Sequence, residues 1–246
     1  MMKLASLADQ KVTVEDRLRS ELVAALQLAV KHDWHEGVAN HFSVAVSEDG
    51  REFLMNPRWR HFARTRAADL LLLDAGDAAT MDRPDAPDPS AWCIHSRLHA
   101  EVPQARCVLH VHSPYATVLA TLADPTLLPI DQNSARYYNR VAYDPDYGGI
   151  ADDDSEARHI VAAIGERRRL LLANHGVIIV APTVAEAFDD LYYFERACRT
   201  LVLAYSTGQA LNVLPAAVAE KTARDWEAYS GASIAHFEEQ RRMLAT

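Results

Sequence analysis

Cysteine is rare in this chain and shows no pattern that would organise a fold. Three cysteines occur in 246 residues, at Cys93, Cys107 and Cys198. An odd number of cysteines without metal-type spacing argues against a disulfide framework. The sequence therefore predicts reduced thiols that pack in the interior of the protein.

Basic charge and long apolar runs are also scarce. Lysine and arginine total 25 against 34 aspartates and glutamates, which gives a formal net charge of −9 and a pI near 5.6. Phosphate backbones and anionic membranes attract such a chain weakly, so we predict neither a nucleic-acid nor a membrane partner. The apolar runs LLLLD and LLLA are far shorter than the roughly 20 residues of a membrane span, and the N-terminal residues lack the apolar stretch of a signal peptide. These absences predict a cytoplasmic protein.

Apolar residues are abundant enough for a substantial core. They make up 49% of the sequence, against 24% charged residues, which excludes a disordered chain, a coiled coil and a collagen. No internal repeat, low-complexity tract or domain boundary is visible. We therefore predict a single α/β domain over residues 1–246.

Helical and extended patterns alternate along the chain. Apolar residues at helical spacing predict helices over 13–32, 90–102, 152–167 and 219–244, with two more that start near 113 and 183. Short apolar runs predict the strands HFSVAVS and EFLMN around a turn at 48–50, LLLLD at 70–74, RCVLHV at 106–111, and LLLA and VIIVA around a turn at 174–176. The segment 125–150 is predicted to form irregular, site-lining loops.

Two histidines on one predicted strand and a third on a predicted hairpin point to chemistry. His110 and His112 are separated by one residue, so both imidazoles share one face of the strand. His175 precedes Gly176, which permits a close approach of the backbone. Three histidines with an open fourth position are typical of a catalytic metal site. The alternative is that each histidine only caps a strand or a turn through a hydrogen bond.

The segments around these histidines carry a family resemblance. HVHSPYATVLATL followed by LLANHGVIIVAPTVAEAF resembles the class II aldolase/adducin family. The similarity extends to NHFSVAV, FLMNP, LLLLDAGD, IHSRLHAEVP and LLPIDQNSARYYNRVAYDPDYGGI, and covers roughly residues 15–206. The resemblance implies a three-layer α/β/α fold with a large mixed, mainly antiparallel sheet, assembled as a homotetramer. It also implies a divalent metal, most often zinc with manganese or cobalt as alternatives, held by His110, His112 and His175.

One departure from the family pattern affects the expected activity. Family aldolases carry Ser-Ser-Glu before the helix that contains the counterpart of His95, and that glutamate serves as a metal-site carboxylate and base. Here the stretch reads Pro89-Ser90-Ala91-Trp92, and an alanine side chain neither binds a metal nor accepts a proton. This pattern is more similar to the adducin-like branch of the family.

A metal held by three neutral imidazoles keeps its double positive charge, so the site is expected to prefer anionic oxygen ligands. We therefore predict a metal-dependent lyase that performs aldol-type C–C cleavage or decarboxylation on a small oxygenated anion, such as a keto acid, a hydroxy acid or a sugar derivative. One alternative is an adducin-like binding or scaffold protein without turnover. Another is a metal-dependent sugar epimerase or dehydratase.

Polar residues around the expected metal site are candidates for binding the substrate and for moving a proton. Candidates for substrate binding are Asn40, His41, Arg58, Arg60 and Ser90. Candidates for proton transfer are Tyr137, Tyr138, Asp131 and His95.

Each of these residues also has a structural interpretation. The arginines suit a solvated or intersubunit face, and the tyrosines suit packing. The i, i+4 spacing of His95 and His99 would allow them to bind a metal together; in the structural interpretation one ring lies against the sheet and the other is exposed. Glu195, within an apolar stripe, is expected to pair with an arginine such as Arg199.

Overall fold

The computed structural model describes residues 13–146, 148–149 and 154–244. The N-terminal residues 1–12, where a signal peptide was not expected, and the predicted helix start at 152 lie outside the described residues. Within the described ranges, no helix combines the length and apolarity needed to cross a membrane.

A seven-stranded sheet forms the middle of the structure, in the order β3-β2-β1-β4-β7-β6-β5. The strands are β1 His41–Ala45, β2 Glu52–Met55, β3 Leu71–Asp74, β4 Cys107–Val111, β5 Val141–Asp144, β6 Arg169–Leu172 and β7 Gly176–Ala181. All neighbouring strands run antiparallel except β5 and β6, which are parallel. The predicted mixed, mainly antiparallel sheet is confirmed, with β1–β2 and β6–β7 as the two predicted hairpins.

Eight helices accompany the sheet in the described part of the chain. They are α1 Val14–Lys31, α2 Pro89–Glu101, α3 Pro114–Ala120, α4 Gln132–Ala135, α5 Asp154–Ile164, α6 Val184–Ser206, α7 Ala216–Ala228 and α8 Ala232–Arg242. The predicted caps are present, because Thr13 forms a capping box with Asp16 and Thr183 accepts a hydrogen bond from the amide of Glu186. Pro114 occupies the first turn of α3, as its fixed φ allows.

The alternation of side chains along β4 separates the two helical layers. Cys107, Leu109 and Val111 pack on the face covered by α1, α3 and α6, whereas Val108 packs with α2 and α5 on the other face. Because His110 is two residues from Val108, it lies on the α2 and α5 face. The three-layer α/β/α architecture is therefore confirmed. None of the three cysteines, all of which lie in the described part of the chain, forms a disulfide bond, and burial raises the pKa of the Cys107 and Cys198 thiols.

Two predictions for the second half of the chain are wrong. The helix expected over 219–244 is divided into α7 and α8, because Gly231 between them has a φ of 82°, in the left-handed region that ends a right-handed helix. The segment 125–150 is not wholly irregular, since it contains α4 and the edge strand β5. The parallel pairing of β5 with β6 is a long-range contact that a four-residue apolar pattern does not reveal.

Candidate metal centre

The three histidines meet where β4 ends and β7 begins. His110 lies in β4, His112 follows that strand, and His175 immediately precedes β7, which pairs antiparallel with β4. One ring nitrogen from each of the three lies within 4.8 Å of those of the other two. Gly176 allows this approach, because a Cβ there would lie 2.4 Å from the oxygen of Val111 and 2.9 Å from Cδ2 of His112.

Hydrogen bonds fix the tautomers of two of these histidines. Nδ1 of His110 lies 3.2 Å from the carbonyl oxygen of Val177, and Nδ1 of His112 lies 2.5 Å from Oε2 of Glu36. Both acceptors require a proton on Nδ1, which leaves a lone pair on each Nε2 atom of the neutral rings. Sequence reasoning missed Glu36, which belongs to an exposed loop 76 positions from His112 and follows no recognisable spacing.

The geometry of the lone pairs fits a divalent metal. The two Nε2 atoms of His110 and His112 face each other at 3.2 Å, a distance at which two lone pairs repel unless a cation or a proton lies near them. Two nitrogen ligands of tetrahedral zinc are separated by about 3.3 Å, given Zn–N bonds of about 2.05 Å. Burial lowers the pKa of His110 well below its usual range, and burial, together with the neighbouring imidazole of His112, lowers the pKa of His175 to about 4. Neutral imidazoles of this kind are metal ligands.

Glu195 holds the segment that follows His112. Its carboxylate, in α6, accepts hydrogen bonds from the hydroxyl of Ser113 at 2.7 Å and from the amides of Tyr115 at 2.7 Å and Ala116 at 2.9 Å. These groups form the N-terminus of α3, where free amides favour a negative charge. Burial raises the pKa of Glu195, although these hydrogen bonds act to lower it.

The predicted pairing of Glu195 with Arg199 is wrong. The two side chains form no ion pair; the guanidinium of Arg199 lies over the ring of Tyr115 and acts on Glu195 through its charge alone. The reason is that α3 presents its free amides to the same side of α6 as Glu195, and three directed donors satisfy the carboxylate.

His41 lies beside the three histidines on the neighbouring strand. It faces His110 directly in the β1–β4 register, so the two side chains share one face, and their ring centroids are 4.7 Å apart. Burial lowers the pKa of His41 to about 3, against the opposing charge of Asp88. Nδ1 of His41 lies 2.7 Å from Nε2 of His95, which places His95 behind His41 and not in the cluster.

The prediction that either His95 or His99 is exposed is wrong. Both are buried, at 0% and 4% exposure, because Ser43 of β1 lies between them and bonds to both rings. Ser43 was missed by sequence reasoning, although the two-residue period of β1 places it on the same face as His41.

The remaining substrate candidates occupy three different places around the cluster. Oδ1 of Asn40 accepts a hydrogen bond from the backbone amide of Glu36 at 2.6 Å, while its buried Nδ2 has no hydrogen-bond partner among the described residues. Ser90 donates to Asp88 at the start of α2. Arg58 lies over the ring of Trp59, with Nε 3.8 Å from Asp88.

Arg60 is directed elsewhere, because its guanidinium pairs with Asp69 at 3.5 Å. Asp131 caps α4 by accepting the amide of Ser134 at 2.7 Å, and it lines a cavity with Trp226. Tyr137 is buried in the core on the α6 side of the sheet, where its hydroxyl donates to the carbonyl oxygen of Asp190.

Tyr138 follows Tyr137 on the same connection and is partly buried. Among the described residues, none of the hydrogen bonds or ring contacts of Asp131, Tyr137 and Tyr138 involves one of the three histidines. The structure therefore brings together His41, Asn40 and the metal-ligand candidates, and leaves these three residues apart from them.

Comparison with known proteins places this arrangement in context. The family model described as the class II aldolase and adducin N-terminal domain matches residues 20–202. A provisionally named aldolase class 2 protein of Caulobacter vibrioides is 32% identical over 204 residues, which cover 83% of this chain and 79% of that protein. Human beta-adducin is 26% identical over 196 residues, which cover 78% of this chain and 27% of its own length.

Solved structures show the same architecture. An aldolase II superfamily protein from Pseudomonas syringae superposes with a TM-score of 0.84 and 30% identity, and the match covers 95% of this chain and 94% of that one. The L-fuculose 1-phosphate aldolase of Glaciozyma antarctica PI12 gives a TM-score of 0.79 at 23% identity and covers 96% and 92% of the two chains, a likeness of fold.

Proposed function

The chain belongs to the class II aldolase and adducin family, and on this premise we propose that it is a metal-dependent lyase for a small oxygenated anion. The observation that carries the proposal is the convergence of His110, His112 and His175, two of which have their Nε2 lone pairs fixed by acceptors on Nδ1. The proposed reaction is aldol-type C–C cleavage or decarboxylation. Zinc is the proposed metal because imidazole nitrogen suits it, with manganese or cobalt as alternatives.

The charge of the site favours an anionic substrate. Among the described residues, the cluster of three ligand atoms contains no carboxylate, and the carboxylate of Glu36 is hydrogen-bonded to His112. A divalent metal bound there supplies a Lewis acid that stabilises negative charge on a substrate oxygen. Decarboxylation suits a site without a glutamate ligand, since its first step requires no base.

The residues near the cluster have proposed roles in binding. The buried Nδ2 of Asn40 is a donor without a partner among the described residues, so a substrate oxygen would satisfy it. Arg58 lies near the start of α2, and its guanidinium is only distantly paired with Asp88 at 3.8 Å. We propose that Asn40 orients the substrate and that Arg58 attracts it by charge.

Turnover by the metal-loaded protein tests this function. We expect the zinc-loaded, manganese-loaded or cobalt-loaded protein to cleave or decarboxylate at least one compound in a panel of hydroxy acids, keto acids and sugar acids. We expect His112→Ala to abolish this activity, and Glu48→Gln, in the exposed turn between β1 and β2, to leave it unchanged. A protein that binds metal stoichiometrically but turns over no compound would contradict the lyase proposal.

A binding or scaffold role is the second candidate, favoured by the similarity to human beta-adducin. The two candidates differ in what His112→Ala changes, because a scaffold surface does not depend on a metal ligand. We further propose a homotetramer in the cytoplasm, which light scattering of the purified protein and fractionation of cells would test.

A further inference from the structure

We propose that His41 accepts a hydrogen bond from a hydroxyl group of the substrate, and that the buried residues His95, Ser43 and His99 hold it in the accepting tautomer. This inference rests on the proposed function and narrows its substrate class. The substrate would be an anion that carries a hydroxyl group next to its carboxylate, in preference to the corresponding keto acid. His41 would touch the substrate, and the three buried residues would act through it as positioning residues.

The direction of these hydrogen bonds is set at His99, the buried end of the series that leads to His41. Nδ1 of His99 lies 2.7 Å from the carbonyl oxygen of Ala105, and a carbonyl oxygen accepts only. Nδ1 of His99 therefore carries a proton. Burial lowers the pKa of His99 to about 3, so the ring is neutral and its Nε2 has a lone pair. Ser43, whose Oγ is 2.6 Å from this Nε2, must then donate its only proton to His99.

The directions of the remaining hydrogen bonds follow from the donation of Ser43 to His99. With its proton committed, Oγ of Ser43 accepts from Nδ1 of His95, at a distance of 2.5 Å. Burial lowers the pKa of His95, so its ring is neutral and its Nε2 accepts the Nδ1 proton of His41 at 2.7 Å. With the Nδ1 proton of His41 donated to His95, its Nε2 is the nitrogen that accepts in this tautomer of the ring.

This last lone pair belongs to a ring that lies beside the candidate metal centre. The two nitrogens of an imidazole diverge, so Nε2 of His41 points away from His95, which lies behind it. The ring of His41 lies beside that of His110, with their centroids 4.7 Å apart. No described residue makes a hydrogen bond with this Nε2, so it is an acceptor available to a ligand.

A fixed acceptor distinguishes between two kinds of ligand. A hydroxyl group beside a carboxylate supplies the proton that the lone pair of His41 requires. A keto oxygen in the same place would present lone pairs to a lone pair, which is repulsive. A neutral acceptor also leaves the charge of the metal undiminished, unlike a carboxylate ligand.

The tautomer of His41 can be measured directly by nitrogen NMR. In zinc-loaded protein with labelled histidines, we expect the His41 signals of a ring protonated on Nδ1 and unprotonated on Nε2. Ser43→Ala should redistribute the His41 protons, whereas His99→Gln, whose amide can donate to Ala105 and accept from Ser43, should preserve them. Val108→Ala, on the same face of β4 but outside the chain of hydrogen bonds, is the matched control. A proton on Nε2 of His41 in the wild type, or no response to Ser43→Ala, would overturn the proposal.

Ligand affinity tests the substrate class with two probes of nearly equal size. We expect zinc-loaded wild-type protein to bind lactate more tightly than pyruvate in calorimetry. His41→Asn keeps a donor to His95 but lacks Nε2, and should weaken lactate binding about tenfold without weakening pyruvate binding, since the lone pair that repels the keto oxygen is gone. Equal effects on both probes, or no preference for lactate, would overturn the inference. Failure to bind zinc would instead overturn the proposed function, and the NMR result on the metal-free protein would still decide the tautomer.

Discussion

Nδ1 of His112 donates a hydrogen bond to Oε2 of Glu36 across 76 positions of sequence, at 2.5 Å. The loop that carries Glu36 is itself held by Asn40, whose Oδ1 accepts the Glu36 amide. A carboxylate behind a ligating histidine fixes the ring and makes its free nitrogen more basic. The exposed loop after α1 is therefore part of the candidate metal centre.

Glu36→Gln should weaken zinc binding without unfolding the protein. The amide can still accept from His112 but carries no charge, so we expect roughly a tenfold loss of zinc affinity. Competition with a chromophoric chelator measures this change. Glu48→Gln removes an exposed carboxylate elsewhere and should have no effect. An unchanged affinity in Glu36→Gln would show that the carboxylate does not support a ligand.

Gly176→Ala should separate the ends of β4 and β7. The added Cβ would meet the oxygen of Val111 at 2.4 Å, which is closer than van der Waals contact permits, and would press on the ring of His112. We expect a loss of about 2 kcal/mol in the free energy of unfolding and weaker zinc binding. Gly208→Ala is the control for zinc binding, because an added Cβ there meets nothing within 4 Å, although the left-handed φ of 68° lowers the stability of the variant. Zinc binding as tight as in the wild type would contradict this account.

The candidate site was predictable where local periodicity determines position. His110 and His112 share a strand face by the two-residue period, and the glycine after His175 indicates a close approach to another strand. Glu36 could not be predicted, because its partner His112 depends on how a loop folds over the end of the sheet.

The burial of His95 and His99 shows a different limit. Their i, i+4 spacing was visible, but a buried histidine requires a polar partner, and that partner is Ser43 on a strand far away in sequence.

Likewise, the division of α7 from α8 depends on the left-handed conformation of Gly231. A glycine within a polar helical pattern permits this conformation but does not require it.

Glu195→Gln should destabilise the protein through α3. A glutamine side chain brings one amide N–H group towards the donors of Ser113, Tyr115 and Ala116, so at least one buried donor loses its acceptor. We expect the free energy of unfolding in urea to fall by about 2–3 kcal/mol. Glu186→Gln, at a partly exposed pair with Arg168, should change it by less than about 0.5 kcal/mol. Equal stability of the two variants would mean that Glu195 contributes nothing as a cap.

The buried neutral state of His99 should make stability depend on pH. An unfolded histidine binds a proton below about pH 6.5, whereas the pKa of folded His99 is about 3. Between these values the unfolded chain holds the extra proton, so the free energy of unfolding falls as the pH falls, by about 1.4 kcal/mol per pH unit.

The glutamine of His99→Gln cannot titrate. In chelator-treated protein between about pH 4.5 and 6, the unfolding free energy of this variant should therefore fall less steeply than that of the wild type, by about 1.4 kcal/mol per pH unit. The pKa of His159 is raised by its hydrogen bond to Asp144, so its contribution is lost only as the pH rises above about 6.5. His159→Gln should therefore keep the wild-type slope in the acidic window. If His99→Gln and the wild type had equal slopes there, His99 would be protonated in the folded protein. Ser43 would then not have to donate to His99, and the hydrogen bonds from His99 to His41 would have no fixed direction.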